Sequence, residues 1–507
     1  MRGIEFSSVC LAVAVLVGCG NPEPPQAARP VQRPLAAQVK IESVPEAPAA
    51  APRKPVALDA FPQKELGHTN ILLITVDALR ADRLGTYGHT NATSPNIDAL
   101  AASGAVFEYA LAPKGSTWPS LATILTGVYP VTHGVRYNGM ALASEHDTLA
   151  EMLAPAGYTS AVFIANGGNQ KWEGFETRQI IKEEPRDRGV TDAALPWIDQ
   201  HAGEKFFLWL HYFAPHGPYT PMNEFDAFTD PKYSGDIDGA YDTLTRVFVR
   251  KEKLEDADLA YINGLYDGEV LTADHEISRV IEKVASLGLL NDTLIVISAD
   301  HGEEMYDHHN YFHHQASLYE GTLRVPLIVR LPGKVPAGTR CATPVSVVDI
   351  VPTVLDIAGV PHPQNLQGKA LTPVFEGQAL DRGPIFGEWG DKMLYVRTAT
   401  HKYIYNPSGF QPPVKREREA ADSAQTRNRE HTLPMKNQEL YDVTSDPKEL
   451  KDLSETSPEL RATLQDQLKS GYIEKYGWKL ENKAEEDLQN QLDDETRKEL
   501  EALGYVI

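Results

Sequence analysis

The chain has 507 residues and a formal net charge of −22 at pH 7, from 48 basic and 70 acidic side chains. Such an acidic excess argues against a nucleic-acid partner, because phosphate backbones require a basic surface. Its 42% hydrophobic and 23% charged residues are typical of a globular protein, and three cysteines are too few for a disulfide scaffold.

Residues 1–19 are predicted to be a targeting segment. The apolar run Val9–Val17 follows Arg2 and is too short to span a bilayer. The segment ends in Leu-Val-Gly-Cys19, which resembles the bacterial lipobox, where the cysteine is lipidated; a plain cleaved signal peptide is the alternative. Residues 20–65 are rich in proline and alanine, which predicts an extended tether.

The residue after Cys19 is Gly20 and not aspartate, which by the same resemblance favours the outer membrane over the inner one. We therefore expect a lipid-anchored protein of the bacterial cell envelope, either periplasmic or surface-exposed. The lipid anchor would attach the protein to the outer membrane.

Residues 66–380 are predicted to form an α/β domain. Continuous apolar runs, typical of strands buried on both faces, alternate with helical patterns. The apolar runs are 70–76, 159–165, 206–212, 294–299 and 326–331, and the helical patterns are 147–156 and 259–290. This alternation predicts a large, mainly parallel sheet sandwiched by helices, with ligands beyond the carboxyl ends of the strands.

Residues 381–507 are predicted to form a smaller C-terminal α+β subdomain. Short β-like segments lie at 393–398, 402–405 and 439–441, and the last fifty residues are helical and highly charged. The stretch 407–437 is rich in charge and poor in apolar residues, so we predict a mobile insertion there.

Two predicted strands are followed by side chains that bind metals. Asp77 follows the run 70–76, and Asp300 and His301 follow the run 294–299. Carboxylates and an imidazole delivered to one sheet edge can converge on a single cation. Each residue alone is more often a helix cap or a loop residue.

Thr117 precedes a predicted helix that has Pro119 in its first turn and Gly127 at its end. The free N–H groups and the dipole of a helix N-terminus favour a bound anion and a deprotonated hydroxyl. A simple capping role for Thr117 is the alternative.

Together these segments resemble the sulfatase family of the alkaline phosphatase superfamily. The resemblance extends from about Asn70 to Val506 and rests on the joint order of several motifs. These motifs are NILLITVDALRADRLGTYG (70–88), PSLATILTG (119–127), YPVTHG (129–134), HYFAPHGPY (211–219), SADHGEE (298–304), LYEGTLRVP (318–326), VDIVPT (348–353) and ELYD (439–442). The resemblance also implies the alkaline-phosphatase-like mixed sheet.

The family places one divalent metal between residues that match Asp77, Thr117, Asp300 and His301. The resemblance further implies that three histidines contact the transferring group or the leaving oxygen, as charge stabilisers or general acid. These histidines are His133, His216 and His314, and for each alone a polar loop residue is the alternative. His308, His309 and His313 form a second cluster, which we expect to be a solvated loop.

The sequence departs from three features of sulfatases, which are the formylglycine motif, the metal-binding aspartate pair and a basic residue near His133. Thr117 stands where they have the Cys or Ser that becomes formylglycine, and its β-methyl group prevents that conversion, so we expect no formylglycine. Leu121 replaces the arginine of the same motif, and Ala78 replaces the second aspartate of the metal pair. The basic residue expected near His133 is also missing.

The threonine changes the predicted chemistry. A phosphothreonine can be resolved by metal-assisted displacement, whereas a threonine sulfate ester would need slow attack at sulfur. We therefore predict a metal-dependent hydrolase of anionic esters, with a phosphodiester or phosphonate ester favoured over a sulfate ester. The imidazole of His301 favours Mn²⁺ or Zn²⁺ over Ca²⁺. An envelope transferase that moves a phospho-headgroup and a non-catalytic sulfatase-like binding protein remain alternatives.

Overall fold

The computed structural model describes residues 55–57, 61, 66–166, 172–417, 429–481, 487–488 and 492–502. All of them belong to one unit, Ala47–Ile507. The predicted signal peptide with Cys19, and most of the predicted tether, lie outside these residues. Among the described helices, none has the length and apolar character needed to cross a membrane.

The strands are numbered in chain order. They are β1 (Asn70–Val76), β2 (Ala105–Phe107), β3 (Ala110–Leu111), β4 (Thr159–Ile164), β5 (Thr177–Ile180), β6 (Phe206–Tyr212), β7 (Thr293–Ala299), β8 (Glu304–Met305), β9 (Phe312–His313), β10 (Arg324–Val325), β11 (Leu327–Arg330), β12 (Thr339–Cys341), β13 (Val345–Ser346), β14 (Ile385–Trp389), β15 (Met393–Arg397), β16 (His401–Tyr405), β17 (Pro413–Glu417), β18 (Arg429–Thr432) and β19 (Gln438–Asp442).

The helices are numbered in the same way. They are α1 (Pro95–Ala102), α2 (Thr117–Thr126), α3 (Pro130–His133), α4 (Leu149–Leu153), α5 (Arg186–Gln200), α6 (Tyr241–Arg250), α7 (Asp256–Ser286), α8 (Glu320–Leu323), α9 (Ile350–Ala358), α10 (Thr372–Phe375), α11 (Pro458–Leu468), α12 (Glu474–Tyr476) and α13 (Asp494–Ala502).

The main sheet has the strand order β12-β2-β11-β7-β1-β6-β4-β5. Strands β7, β1, β6, β4 and β5 run parallel, whereas β11 is antiparallel to both β7 and β2. All residues of β1, β6 and β7 are buried, as their continuous apolar sequences predict. The predicted large, mixed and mainly parallel sheet with flanking helices is thereby confirmed.

The C-terminal subdomain is built on a separate antiparallel sheet with the order β14-β15-β16-β19, against which α11 packs. The predicted insertion 407–437 differs from expectation in its described part. There β17 pairs with β18, while Leu433 and Met435 are buried in a hydrophobic cluster with Trp389. The average composition of the segment is polar, but these few apolar side chains pack against the subdomain and order the flanks of the insertion. Residues 418–428 lie outside the described residues.

Candidate active site

Adjacent parallel strands bring Asp77 and Asp300 together. β1 and β7 pair in a register that sets Val76 opposite Ala299, so the next residue of each strand lies at the same carboxyl edge. Both aspartates are fully buried, and the N–H of Ala78 donates to Asp300 Oδ1 over 3.2 Å. The predicted convergence of two strand ends is therefore present.

Asp77, Asp300 and His301 form a group that could hold one metal ion. One ligand atom from each residue lies within 4.8 Å of the others. His301 Nε2 is 3.5 Å from Asp77 Oδ1 and 3.4 Å from Asp300 Oδ2, and both carboxylate oxygens are buried without a hydrogen-bond partner. Orphaned buried carboxylate oxygens are costly unless a cation compensates them, so the residues fit a divalent metal.

The backbone orients the ring of His301. Its Nδ1 donates to the carbonyl of Gly302 over 2.8 Å, which places the proton on Nδ1 and directs the lone pair of Nε2 to the carboxylates. Backbone carbonyls commonly fix metal-binding histidines in this way. Burial lowers the pKa of His301 against the opposing effect of Asp77, which shifts the ring toward the neutral form that a metal ligand requires.

Two further residues contact Asp77 and were missed by the sequence analysis. The side-chain amide of Asn166 donates to Asp77 Oδ2 over 2.7 Å, and His211 Nε2 lies 3.7 Å from the same oxygen. His211 lies near the end of β6 and Asn166 follows β4, which are the next two strands in the sheet. The signal that could have identified them is therefore their position at the carboxyl ends of predicted strands.

The two aspartates differ electrostatically. Burial raises the pKa of Asp300 well above its usual value, and the neighbouring Asp77 raises it further. Burial also acts to raise the pKa of Asp77, but His216, His211 and His301 together outweigh it and lower this pKa below its usual value. The pair thus behaves as like charges that share one buried site.

Thr117 reaches the same cluster from α2. The helix begins at Thr117, with the extended Ser116 as its N-cap, one residue earlier than predicted. Thr117 is fully buried, and its Oγ1 lies 3.4 Å from His301 Nε2. One turn later Leu121 packs in the hydrophobic core, where an arginine would leave a buried charge.

His216 and His314 lie next to this cluster. The ring of His314 is 4.2 Å from the ring of His301 and 4.8 Å from that of His216. The Nδ1 of His216 donates to the carbonyl of Gly217 over 2.7 Å, and the Nδ1 of His314 lies 3.1 Å from Glu303 Oε1. Burial lowers the pKa of both histidines. The structure thus brings both predicted residues to the site.

His133 makes different contacts. Its Nε2 lies 3.0 Å from Thr123 Oγ1, and its Nδ1 accepts a hydrogen bond from the N–H of Val135 over 3.1 Å. Burial, followed by the effect of His146, lowers its pKa to about 3. Both ring nitrogens are thus engaged in holding α2 to the segment after α3, which favours a structural role.

The second histidine cluster is only partly the solvated loop that we expected. His309 is exposed, but the ring of His308 stacks on Tyr319 at 3.7 Å and its Nδ1 lies 3.2 Å from Glu304 Oε2. Glu304 raises the pKa of His308 to about 9 against the effect of burial. The interaction with the buried carboxylate of Glu304 therefore keeps His308 partly buried.

Known proteins resemble this chain over most of its length. A family model described as Sulfatase matches residues 69–360, and one described as N-sulphoglucosamine sulphohydrolase, C-terminal, matches residues 307–474. Arylsulfatase K of Bos taurus is 26% identical over 494 residues, covering 84% of this chain and 84% of that protein.

Two solved structures share the fold. One, in complex with its substrate D-glucosamine-2-N,6-O-disulfate, has a TM-score of 0.65 at 20% identity and covers 81% of this chain and 98% of its own. The phosphonate monoester hydrolase of Agrobacterium radiobacter has a TM-score of 0.64 at 20% identity, covering 80% of this chain and 95% of its own. With the Sulfatase model matching more than half of its length, the chain belongs to the sulfatase family of hydrolases within the alkaline phosphatase superfamily.

Proposed function

We propose that this hydrolase cleaves a phosphodiester or phosphonate ester in preference to a sulfate ester, with Thr117 as nucleophile. The observation that carries the proposal is the position of Thr117 Oγ1, buried at the N-terminus of α2 and 3.4 Å from His301 Nε2. The two solved structures support the fold, and the choice of phosphorus over sulfur rests on the threonine itself.

The first step forms a bond between Thr117 Oγ1 and phosphorus while the bond to the leaving oxygen breaks in line. The N-terminus of α2 stabilises negative charge on the attacking oxygen and on the phosphoryl group. Water then attacks the covalent threonine ester, in which phosphorus keeps its second alkoxy or carbon substituent. The bond between Oγ1 and phosphorus breaks, and Oγ1 regains a proton that comes from the water. A sulfothreonine would resist this second attack.

His216 and His314 are the groups that we assign to proton transfer. In each ring Nδ1 contacts protein, at the carbonyl of Gly217 for His216 and at the carboxyl of Glu303 for His314, and these contacts orient the two rings. One of the two rings accepts the hydroxyl proton of Thr117, and this same proton is then returned to the leaving oxygen, so the histidines end the step as they began it.

A divalent metal would be held by Asp77, Asp300 and His301, and Thr117 would be a fourth ligand. A divalent cation there, with Mn²⁺ or Zn²⁺ favoured over Ca²⁺ by the imidazole, would supply positive charge that stabilises the alkoxide and the phosphoryl oxygens. The amide of Asn166 donates to Asp77 Oδ2, and His211 lies near the same oxygen, so Asp77 Oδ1 is the oxygen that would face the metal.

The test is a panel of sulfate, phosphate monoester, phosphodiester and phosphonate substrates, assayed with Mn²⁺, Zn²⁺ and Ca²⁺. Thr117→Ala should abolish turnover, and acid quenching of the parent should trap an alkyl phosphate or phosphonate ester of Thr117. Ser116→Ala is the matched control, because this neighbouring hydroxyl makes no capping hydrogen bond and should be dispensable.

The outcomes separate the alternatives. Activity that survives in Thr117→Ala contradicts the nucleophile, and turnover of sulfate esters alone contradicts the preference for phosphorus. Transfer of the phosphoryl group to an added alcohol or lipid in place of water would instead identify an envelope transferase.

We also propose that lipidation of Cys19 places the enzyme in the bacterial envelope, with the outer membrane favoured. The support is the sequence around Cys19 and the proline- and alanine-rich segment after it. Labelling with a radioactive fatty acid should mark the parent and Cys10→Ala but not Cys19→Ala. Equal labelling of all three proteins would refute the anchor.

A further inference from the structure

A pocket of about 110 Å³ borders His216 on the side of the N-terminus of α5. Pro185, Phe213 and Met222 give it an apolar wall, and Arg186 contributes the cation. Its volume is close to that of cavities that admit a single small ring. Because His216 also neighbours the buried cluster, a substrate that reacts there has room in this pocket for its leaving group.

Aromatic stacking connects Arg186 to His216. The guanidinium of Arg186 lies 4.4 Å over the ring of Phe213, and this ring lies 4.7 Å from the ring of His216. Arg186 Nε is 2.8 Å from the carboxylate of Glu184, which leaves the two terminal nitrogens for a further contact. The side chain is 23% exposed and lines the pocket, so a ligand in the pocket can contact it.

The carboxyl groups that line the pocket repel a bound anion only weakly. Glu184 is 68% exposed, so solvent screens its charge. Asp187 accepts hydrogen bonds from the backbone N–H groups of residues 213–214, and Glu269 accepts one from that of Thr220. Burial raises the pKa of Asp187 to about 7 and that of Glu269 to about 8, so both carry reduced charge near neutrality.

We propose that Arg186 is a specificity-determining residue that binds an oxyanion carried by the leaving group of the substrate. The inference rests on the proposed function and narrows its substrate class to esters whose alcohol bears a second negative charge. The planar guanidinium suits this task, because it binds carboxylates and related oxyanions with two parallel hydrogen bonds. It also supplies the local cation that a protein with a net charge of −22 needs to attract an anion.

The experiment compares three methyl phosphodiesters whose leaving groups are 4-hydroxybenzoate, 4-hydroxybenzenesulfonate and the neutral 4-hydroxybenzamide. The parent should have a kcat/KM about 10- to 100-fold higher for at least one anionic substrate than for the amide, the range of charge-assisted hydrogen bonds. Arg186→Gln should bring this ratio close to one, mainly through KM, and Arg186→Lys should give an intermediate ratio. Arg188→Gln, on the same helix but outside the pocket, should keep the parent ratio.

Binding provides a readout that does not depend on turnover. Calorimetric titration with 4-hydroxybenzoate and 4-hydroxybenzamide should show the same preference in the parent and its loss in Arg186→Gln. If the parent hydrolyses none of the esters, the proposed function fails while the titration still decides the role of Arg186. A parent without preference for the anion, or an Arg186→Gln variant that keeps it, overturns the proposal; unfolding temperatures verify that each variant folds.

Discussion

Replacement of Asp300 by asparagine tests two effects of this carboxylate. One is its contribution to metal affinity, and the other is its effect on the stability of the metal-free protein. The ligand oxygens of Asp77 and Asp300 are buried and lie within 4.8 Å of each other. Two unit charges at that separation would repel by about 3.5 kcal/mol at an effective dielectric constant of about 20. Burial and this repulsion raise the pKa of Asp300, so without metal the carboxyl must take up a proton to stay buried, and asparagine avoids that cost. Asparagine keeps the oxygen that accepts hydrogen bonds from the N–H groups of Ala78 and His301. We therefore expect metal-free Asp300→Asn to be at least as stable as the parent.

With metal bound, the parent should become more stable than Asp300→Asn. A metal at 100 times its Kd stabilises the parent by about 2.7 kcal/mol. For a unit of the length of Ala47–Ile507, an unfolding entropy of about 2 cal/mol/K per residue amounts to about 1 kcal/mol/K, so the unfolding temperature rises by about 3 °C. A hundredfold loss of affinity in Asp300→Asn would reduce the gain to about 0.4 kcal/mol, and thus to a shift of about 0.4 °C.

Calorimetric unfolding after dialysis against a chelator, repeated with added Mn²⁺ or Zn²⁺, measures both effects. Asp274→Asn is the matched control, since Asp274 is also fully buried but accepts hydrogen bonds from residues 96 and 97. It should keep the full metal-induced shift. A metal-free Asp300→Asn that is several kcal/mol less stable than the parent, or one that metal stabilises as much as the parent, would refute the reasoning.

Three other substitutions test separate parts of the structure. Asn166→Ala should weaken metal binding about 10- to 100-fold, because its amide orients Asp77 over 2.7 Å; unchanged affinity in a competition assay with a chelating dye would contradict this. Burial, with Glu276 nearby, raises the pKa of Asp187 from 3.8 to about 7, so its ionisation destabilises the folded protein progressively as pH rises from about 4 to about 7. Asp187→Asn should remove this loss, and an unfolding temperature with the same pH dependence as the parent would argue against it. His133→Gln should lower the unfolding temperature and leave kcat close to that of the parent, because both ring nitrogens have protein partners; a large loss of kcat in a stable variant would support the catalytic role implied by the family resemblance.

The amino-acid sequence by itself determined the strands that carry the site. The runs 70–76 and 206–212 form strands with the predicted bounds, because a strand buried on both faces needs an unbroken apolar sequence. Asp77, Asp300 and His301 could be predicted to meet, since they follow strands whose carboxyl ends share one edge. The start of α2 near Thr117 was equally readable from local helix signals.

Other features depend on contacts between distant residues, which only the tertiary structure decided. The pairing of β6 with both β1 and β4 brings Asn166 to Asp77 across 89 residues of sequence. His133 belongs to a matching motif, yet side-chain packing gives its nitrogens to Thr123 and Val135. Arg186 belongs to no motif and reaches His216 only because α5 packs its N-terminus against Phe213. Local periodicity encodes which segments are buried, whereas strand order and side-chain packing decide which polar groups meet.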